Sequence, residues 1–232
     1  MKVVILTGGT SGIGLATAKC LAAQGCRVYE FSRRDAEFDF MQHMRVDVAD
    51  AQQVRRAVDE VCAKEGRIDV LVNNAGLGTA VPALKESPEQ FCSVVDVNLG
   101  GAFWAAKECA AVMGPGSSIV NVASVLGLTA GFAPQAAYSA TKAAVMGLTR
   151  DLASQWGGRR GIRVNSLAPG YFASEMTDEI PKQMLADIKG STIFGRLGLQ
   201  PELDAALLFL ASDAASFVTG TTLVVDGGMT MH

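Results

Sequence analysis

The sequence predicts an α/β fold in which a doubly wound parallel sheet of about seven strands carries helices on both faces. Two observations lead to this prediction. Short apolar runs rich in β-branched residues alternate with helical patterns along the whole 232-residue chain. Small or polar residues follow most of these runs, and the carboxyl ends of parallel strands meet at one edge of a sheet. With 49% apolar residues, one domain covering residues 1–232 is the economical interpretation.

The predicted strands are apolar runs that end at glycine, asparagine, serine, proline or a charged residue. They cover residues 3–6, 27–31, 44–48, 68–72, 118–122, 162–167 and 222–225. Residues 35–42 are few for a crossover helix and carry only a weak helical signal. We therefore expect the helix between the second and third strands to be missing.

The predicted helices show apolar residues at spacings near 3.6. They cover residues 13–22, 51–63, 88–98, 99–113, 134–156 and 201–210. Ser87, Pro88 and Gln90 form a capping-box start for the third of these, and Gly114-Pro115-Gly116 stops the fourth. Residues 171–199 are mixed, and we expect short helices there that form a lid over a substrate pocket.

Residues 7–14, Thr-Gly-Gly-Thr-Ser-Gly-Ile-Gly, directly follow the first strand and open the first helix. Glycines allow a tight turn and close approach of a ligand, and a helix N-terminus offers free N–H groups to a phosphate. Strand, glycine turn and helix together predict a dinucleotide site; the alternative is a plain glycine-rich turn.

Ser32, Arg33 and Arg34 come at the end of the second strand, on the crevice side of such a sheet. An acidic residue there would accept the ribose hydroxyls of NAD, whereas a hydroxyl and two guanidiniums suit a 2′-phosphate. The sequence therefore favours NADP(H), with NAD(H) possible. The alternative is two solvated arginines in a loop.

Tyr138 and Lys142 lie four residues apart in a predicted helix and share one helical face. An ammonium beside a phenol favours the phenolate and lowers its pKa from about 10. We expect this pair to act as a general acid and base near neutral pH. Asn98 falls within an apolar helical stretch, where an unbonded amide is costly, so it either caps a kink or belongs to the site.

Composition argues against several classes of function. The net charge of −3 comes without a basic block, so nothing indicates nucleic acid binding. No uncharged apolar run approaches the roughly 18 residues of a membrane span. Five scattered cysteines without a CxxC pattern predict reduced thiols and a cytoplasmic location. Neither His43 nor His232 belongs to a metal-ligand cluster, so we expect no metal site.

The ordered set of motifs resembles the short-chain dehydrogenase/reductase family over essentially the whole chain. It comprises residues 7–14 as a TGxxxGIG turn, Asp47-Val48, residues 73–76, residues 97–99, Ser124, Tyr138-x3-Lys142 and Pro169-Gly170. The resemblance implies a Rossmann-like NAD(P)-dependent oxidoreductase that assembles as a homotetramer or homodimer. Residues 169–172 and 224–228 are similar to those of 3-oxoacyl-thioester reductases and of gluconate-type polyol dehydrogenases.

The resemblance also implies a role for each motif residue. Tyr138 would donate a proton to the substrate carbonyl oxygen in reduction or remove one in oxidation, and Ser124 would hydrogen-bond that oxygen. Lys142 would bind the nicotinamide ribose and lower the tyrosine pKa, and Asn98 would hold a water that links Lys142 to solvent. Cofactor contacts, besides those of Tyr138, Lys142, Ser32, Arg33 and Arg34, are implied for Gly8, Thr10, Ser11, Gly12, Ile13, Gly14, Asp47, Val48, Asn74, Ala75, Gly76, Pro169, Gly170, Phe172 and Ser174.

Three features qualify these expectations. Thirteen residues separate Ser124 from Tyr138, whereas twelve is the commoner number in the family. The extra residue should lie in the loop at 126–133 and reshape the substrate side of the site. Ser11 replaces the basic residue of many NADP-specific members, so the NADP prediction rests mainly on Arg33. Apolar lid residues at 172, 176, 180, 184, 188, 193 and 194 favour a 3-oxoacyl thioester or similar hydrophobic ketone.

Two alternatives stay open. One is a dehydrogenase of polyols, sugars or hydroxysteroids, because apolar residues in amphipathic helices often serve packing rather than a pocket. The other is a catalytically silent NADP-binding scaffold or regulator, because a fold does not fix a function. Loss of the Ser, Tyr, Lys or Asn would indicate the second alternative, and all four residues are present.

Overall fold

The computed structural model of the protein describes residues 1–173 and 180–231. Its centre is a seven-stranded parallel sheet of order β3-β2-β1-β4-β5-β6-β7. The strands are β1 (Val3–Thr7), β2 (Arg27–Ser32), β3 (Gln42–Arg45), β4 (Val70–Asn73), β5 (Ser118–Val122), β6 (Arg163–Pro169) and β7 (Thr222–Val225). The helices are α1 (Gly12–Ala23), α2 (Ala51–Glu65), α3 (Pro88–Val95), α4 (Ala102–Val112), α5 (Ala136–Arg160), α6 (Lys182–Gly190) and α7 (Gln200–Ala211). The predicted doubly wound α/β fold is confirmed.

The strand order reverses at β1, which pairs with β2 on one side and with β4 on the other. Thr7 at the end of β1 lies opposite Phe31 and Asn73, so three strand ends meet at one edge. Such a switch point opens a crevice beyond the carboxyl ends of the strands, where dinucleotides bind in open α/β sheets.

Helices cover both faces of the sheet, and each face has its own apolar cluster. On one face Val58 of α2, Ala105 of α4 and Leu152 of α5 pack against the strands. On the other face Leu21 of α1 and Leu207 of α7 do the same. Strands buried on both faces become nearly continuous apolar runs, which is why β1, β4 and β5 were visible in the sequence.

The third strand differs from its prediction at residues 44–48, because β3 spans Gln42–Arg45. An edge strand is only half covered, so it accepts the polar Gln42 and His43, which lie opposite Tyr29 and Glu30 of β2. Residues 33–41 are all described and form no helix, as expected. In its place, aromatic side chains of this segment such as Phe38 pack against the α1 face.

The predicted helices at 88–98 and 99–113 form one continuous helical run with an irregular middle. The capping box at Ser87 is confirmed, and a π-helical segment, Asp96–Gly101, joins α3 to α4. Single π turns inside α-helices are frequent at functional sites. Asn98 lies within this turn and so occupies an irregularity of the helix, and its place in the site stays a prediction.

Across residues 1–173 and 180–231, no helix combines the length and apolar character needed to cross a membrane.

Candidate active site

The glycine turn between β1 and α1 needs glycine for two different reasons. Gly8 and Gly12 have φ values of 69° and 52°, in the left-handed region. A Cβ atom on Gly14 would overlap the carbonyl oxygen of Gly8, and one on Gly8 would lie 2.8 Å from Cα of Ala75. The turn therefore folds tightly back on itself and against the end of β4.

Asn74 and Thr7 hold this turn in place. The Asn74 side chain donates from Nδ2 to the carbonyls of Thr7 and Gly8 at 3.1 and 2.8 Å. The Thr7 hydroxyl oxygen accepts from the backbone N–H groups of Asn74 and Ala75 at 3.1 and 3.0 Å. The amide nitrogen of Asn74, predicted to contact the cofactor, thus supports the turn that would bind it.

The N-terminus of α1 points from this turn into the crevice. The first helical bond runs from the Leu15 N–H to the Ser11 carbonyl at 3.1 Å. The N–H groups of the first turn that come before Leu15 therefore lie ahead of the first helical hydrogen bond. Ser11 and Gly12 are exposed there, and the first turn, Gly-Ile-Gly-Leu, carries no acidic side chain. Free N–H groups at the positive end of a helix dipole fit a diphosphate.

Ser32, Arg33 and Arg34 lie where the sequence predicted, at the crevice end of β2. Both arginines are exposed, whereas Ser32 is half-buried and donates from its hydroxyl to Oε2 of Glu30 at 3.2 Å. The Glu30 carboxylate therefore points into the protein, whereas Arg33, Arg34 and Asp35 are exposed beyond the end of β2.

Tyr138 and Lys142 lie near the start of α5 and share one face, as predicted. Lys142 is only 4% exposed and donates from Nζ to the carbonyl of Val122 at 2.7 Å. Its Nζ atom is 5.6 Å from the centroid of the Tyr138 ring. Ser124, which follows β5, is buried beside Tyr138, and its hydroxyl oxygen accepts from the Leu126 N–H at 3.2 Å.

The pKa of Tyr138 differs from its expected lowering. Burial raises the pKa of the phenol above its usual 10.0, the hydrogen bond with Ser124 lowers it in part, and the phenol of Tyr171 raises it. Burial also lowers the pKa of Lys142 to about 8. Because the same low-polarity surroundings disfavour both charges, the neighbouring ammonium does not bring the phenol near neutrality by itself.

Asn98 connects the π turn to the catalytic helix. Its Oδ1 atom accepts from the Leu77 N–H at 2.7 Å, and its Nδ2 atom donates to the Leu77 carbonyl at 3.0 Å and to the Thr141 hydroxyl at 3.1 Å. The side-chain amide of Asn98, which we expected to hold a water, is thus hydrogen-bonded to protein groups. These three hydrogen bonds fix the loop after β4 against α5.

A bare stretch of backbone runs beside these catalytic groups. A Cβ atom on Gly76 would lie 3.4 Å from Oδ1 of Asn98 and 3.6 Å from Nζ of Lys142. One on Gly78 would lie 3.9 Å from Cδ2 of Tyr138. Glycine at both positions leaves a surface on which a flat ring could lie against the lysine and the phenol.

The other predicted cofactor residues divide into several groups. Thr10 and Ile13 belong to the glycine turn and are half-buried. Asp47, implied to contact the cofactor, accepts from the Ala49 N–H at 3.1 Å and begins a turn. Gly170, after Pro169, packs so closely that a Cβ atom would lie 2.9 Å from Cα of Asp226.

Two predicted cofactor side chains turn away from the crevice. The ring of Phe172 packs in the cluster beneath α1 and α7 and touches Gly198, and Val48 packs against Gly101. Ser174 lies outside the described residues.

Sequence analysis missed two residues of the site. Tyr171 directly follows Pro169-Gly170, and its ring packs with Tyr138 around Val125, Leu126 and Met229. Glu30 is a fully buried carboxylate beneath the glycine turn. The available signals were a hydroxyl-bearing aromatic beside a motif and a charged residue inside a strand expected to be buried.

No group of three or more His, Cys, Asp or Glu side chains within the described part of the chain could hold a metal ion.

A glycine turn shaped for a dinucleotide, beside a half-buried tyrosine, a buried lysine and a buried serine, defines the class of dinucleotide-dependent oxidoreductases. A family model described as enoyl-(acyl carrier protein) reductase matches residues 8–230. The chain belongs to the short-chain dehydrogenase/reductase family and is an enzyme of that kind.

Relatives with different named substrates are similar to this chain along nearly their whole length. It is 36% identical to the 3-oxoacyl-[acyl-carrier-protein] reductase of Thermotoga maritima, covering 98% of this chain and 97% of the relative. It is 40% identical to the galactitol 2-dehydrogenase (L-tagatose-forming) of Cereibacter sphaeroides, covering 97% and 94%. Ligand-free aldohexose dehydrogenase of Thermoplasma acidophilum superposes with a TM-score of 0.92 at 32% identity, covering 100% and 94%.

Proposed function

We propose that this enzyme interconverts a carbonyl and a secondary alcohol with NADP(H), and that Tyr138 is the general acid and base. The observation that carries the proposal is the juxtaposition of the Tyr138 phenol and the buried Lys142 ammonium with the bare Gly76 backbone that follows β4. It supports catalysis over the silent scaffold because a buried lysine is costly to retain without a task.

The side chains divide the work of the reaction. When bound, the nicotinamide ring supplies or accepts the hydride. The Tyr138 O–H donates to the substrate oxygen, and the Ser124 hydroxyl adds a second hydrogen bond that holds this oxygen in place. Lys142 uses one of its three donors on the Val122 carbonyl, which leaves two for a ribose hydroxyl.

The preference for NADP(H) is part of this proposal. Arg33 and Arg34 are exposed directly after Ser32, the last residue of β2. A planar guanidinium binds phosphate oxygens in pairs, whereas an exposed cation contributes little to binding an uncharged diol. Glu30 points inward to Ser32 and Gly9, so it supports this preference by not presenting a carboxylate to the ribose.

We propose a 3-oxoacyl thioester or similar hydrophobic ketone as the substrate. Support comes from the exposed apolar side chains Leu128 and Phe132 in the lengthened loop and Ile193 and Phe194 beyond α6. The 36% identical 3-oxoacyl reductase adds to this support. Part of the apolar lid pattern serves packing instead, since Ile188 and Phe172 are buried.

A polyol or sugar is the second candidate, and Tyr171 favours it. Its phenol is near enough to the Tyr138 phenol to raise the pKa of that group, and it lies beside the N–H of Phe132. A second hydroxyl next to the reacting oxygen suits a substrate with an oxygen on the adjoining carbon. Galactitol 2-dehydrogenase is 40% identical to this chain.

A substrate screen tests the proposal. The absorbance of NADPH and NADH would be followed with acyl thioesters, polyols and sugars, hydroxysteroids and simple ketones, in both directions. We expect turnover with NADPH that is fastest on 3-oxoacyl thioesters. Binding of NADPH without turnover on the whole panel would support the silent scaffold, and faster turnover on polyols would support the second candidate.

We further propose one domain over residues 1–232, a substrate lid at residues 171–199, a cytoplasmic location and a homotetramer or homodimer. The free cysteines support the location. Small outward residues on α5, Ala140 and Ala143, allow a close contact between subunits. Light scattering on the purified protein measures the number of subunits directly.

A further inference from the structure

We propose that Glu30 is a positioning residue for the cofactor turn: its buried carboxylate holds the N–H of Gly9 and so sets how the turn meets the dinucleotide. The inference rests on the proposed dinucleotide site but not on the preference for NADP(H). Glu30 lies in β2, two residues before Ser32, and its side chain is fully buried.

Both oxygens of the Glu30 carboxylate have partners in segments around the cofactor crevice. Oε1 accepts from the Gly9 N–H at 2.8 Å, and Oε2 is 2.7 Å from Nδ1 of His43 on β3. Oε2 also accepts from the Ser32 hydroxyl at 3.2 Å. One side chain therefore joins the glycine turn, the end of β2 and the edge strand.

The turn rests directly on this side chain. A Cβ atom on Gly9 would lie 2.7 Å from Cγ of Glu30 and 2.9 Å from Cδ2 of Leu6. Gly9 is itself buried, so its N–H would lose a hydrogen bond if the carboxylate were withdrawn. The position of the turn thus depends on the length of residue 30 as well as on its polarity.

A buried carboxylate is an expensive way to fill space in a strand. Its neighbours Val28 and Phe31 show that the strand otherwise accepts apolar side chains, and replacing a buried charged group by an apolar one is often neutral or stabilising. The cost is understandable if the carboxylate serves the turn. His43 keeps Oε2 engaged, which leaves Oε1 directed at Gly9.

The position of the turn affects a part of the cofactor that NADPH and NADH share. The N–H groups of Gly12, Ile13 and Gly14 meet the diphosphate only if the turn before them is held in one orientation. Changing Glu30 should therefore weaken both cofactors by similar factors. This separates it from Arg33, whose effect should be confined to the cofactor with a 2′-phosphate.

The test compares two substitutions of Glu30, one that changes the charge of the side chain and one that changes its length. Glu30→Gln keeps the reach of the acceptor and removes the charge, whereas Glu30→Asp keeps the charge and withdraws the acceptor by one methylene. Glu65 is the matched control, since it is another hydrogen-bonded carboxylate that contacts β2, through Tyr29 and Arg27 at 2.6 and 2.9 Å. Dissociation constants for NADPH and NADH would be measured by fluorescence titration, with kcat at saturating cofactor and thermal unfolding of each variant.

We expect Glu30→Asp to weaken both cofactors about tenfold or more, as loss of a hydrogen bond to a charged acceptor implies, and Glu30→Gln to stay within about threefold. The kcat at saturating cofactor should change less than about twofold for both, because the hydride site is untouched. Glu65→Asp and Glu65→Gln should lower thermal stability without changing either dissociation constant.

Three results would overturn the inference: near-native affinity in Glu30→Asp, a Glu30→Gln variant at least as weak as Glu30→Asp, or an effect confined to NADPH. Whether Glu30→Asp binds cofactor more weakly than Glu30→Gln can be measured with whichever cofactor the enzyme prefers. A native preference for NADH would therefore refute the proposed NADP(H) specificity and leave this test intact.

Discussion

The two ends of the cofactor crevice are built in opposite ways. At the nicotinamide end Lys142 is 4% exposed and bound to a carbonyl, and Asn98, 2% exposed, makes three hydrogen bonds. At the adenosine end Arg33 and Arg34 stand in solvent. The difference fits the work that we propose for each end: proton transfer needs fixed, desolvated groups, whereas recognition of a phosphate can use hydrated charges.

Tyr138→Phe should produce the largest effect, a loss of turnover with little change in cofactor affinity. Removing a general acid costs about 10²- to 10⁴-fold in rate, so we expect kcat to fall by about 10³-fold while the dissociation constant for NADPH changes less than about threefold. Steady-state kinetics and cofactor titration measure the two quantities. Tyr29→Phe, on β2 and bonded to Glu65, is the control and should keep kcat near the native value. Activity within tenfold of the native enzyme would exclude Tyr138 as the acid.

Arg33→Ala should show the opposite pattern at the exposed end. We expect NADPH to bind about 10- to 100-fold more weakly and NADH to change less than about threefold, because the guanidinium faces only the 2′-phosphate. The NADPH effect should shrink in high salt, since an exposed charge is screened. Arg55→Ala, an exposed arginine of α2, serves as the control. Equal effects on the two cofactors, or a native preference for NADH, would contradict the phosphate role.

Lys142→Met should make the folded protein more stable while abolishing the proposed catalytic activity. Burial lowers the pKa of Lys142 from 10.5 to about 8, so below pH 8 both folded and unfolded chains carry the proton and the full cost of burying the cation is present. Between pH 8 and 10.5 the unfolded chain binds more protons, so this group makes native stability rise with pH.

The advantage of Lys142→Met should therefore be about 1–3 kcal/mol in the free energy of unfolding at pH 7, after loss of the bond to the Val122 carbonyl, and should decline towards pH 10. Urea unfolding of both proteins across this range measures it. Comparison at each pH removes the titration of other groups. A variant that is less stable at pH 7 would show that the bond outweighs the burial.

The same contrast explains what the sequence could predict. Buried strands such as β1 and β5 appear as apolar runs, so they were located from the sequence, and the proposed catalytic residues belong to motifs with fixed spacing. The half-covered β3 was misplaced because Gln42 and His43 break the apolar pattern. Burial itself was also invisible: an ammonium four residues from a phenol predicted a lowered phenol pKa, whereas the three-dimensional surroundings raise it.

The direction of side chains was the second feature that could not be predicted from the sequence. Motif matching assigned Asn74, Val48 and Phe172 to the cofactor, but hydrogen bonds and packing turn these side chains to the protein. Glu30 was missed for the converse reason, because its partner Gly9 is distant in sequence and pairs with it only when β1 and β2 are adjacent. Such pairings depend on strand register, which single-sequence patterns do not fix.

Tyr171→Phe should have the smallest effect and extends the comparison to the substrate. The variant keeps the ring that packs against Phe132 at a centroid distance of 6.3 Å and removes only the hydroxyl near Tyr138. If that hydroxyl binds a second substrate oxygen, KM for polyols should rise about three- to tenfold, the effect of one neutral hydrogen bond, while kcat stays within about threefold. Ketones without a neighbouring oxygen should be unaffected. Phe132→Leu, which alters the apolar wall instead, should weaken all substrates alike. A uniform loss in Tyr171→Phe would assign its ring to packing and leave the hydrophobic-ketone proposal favoured.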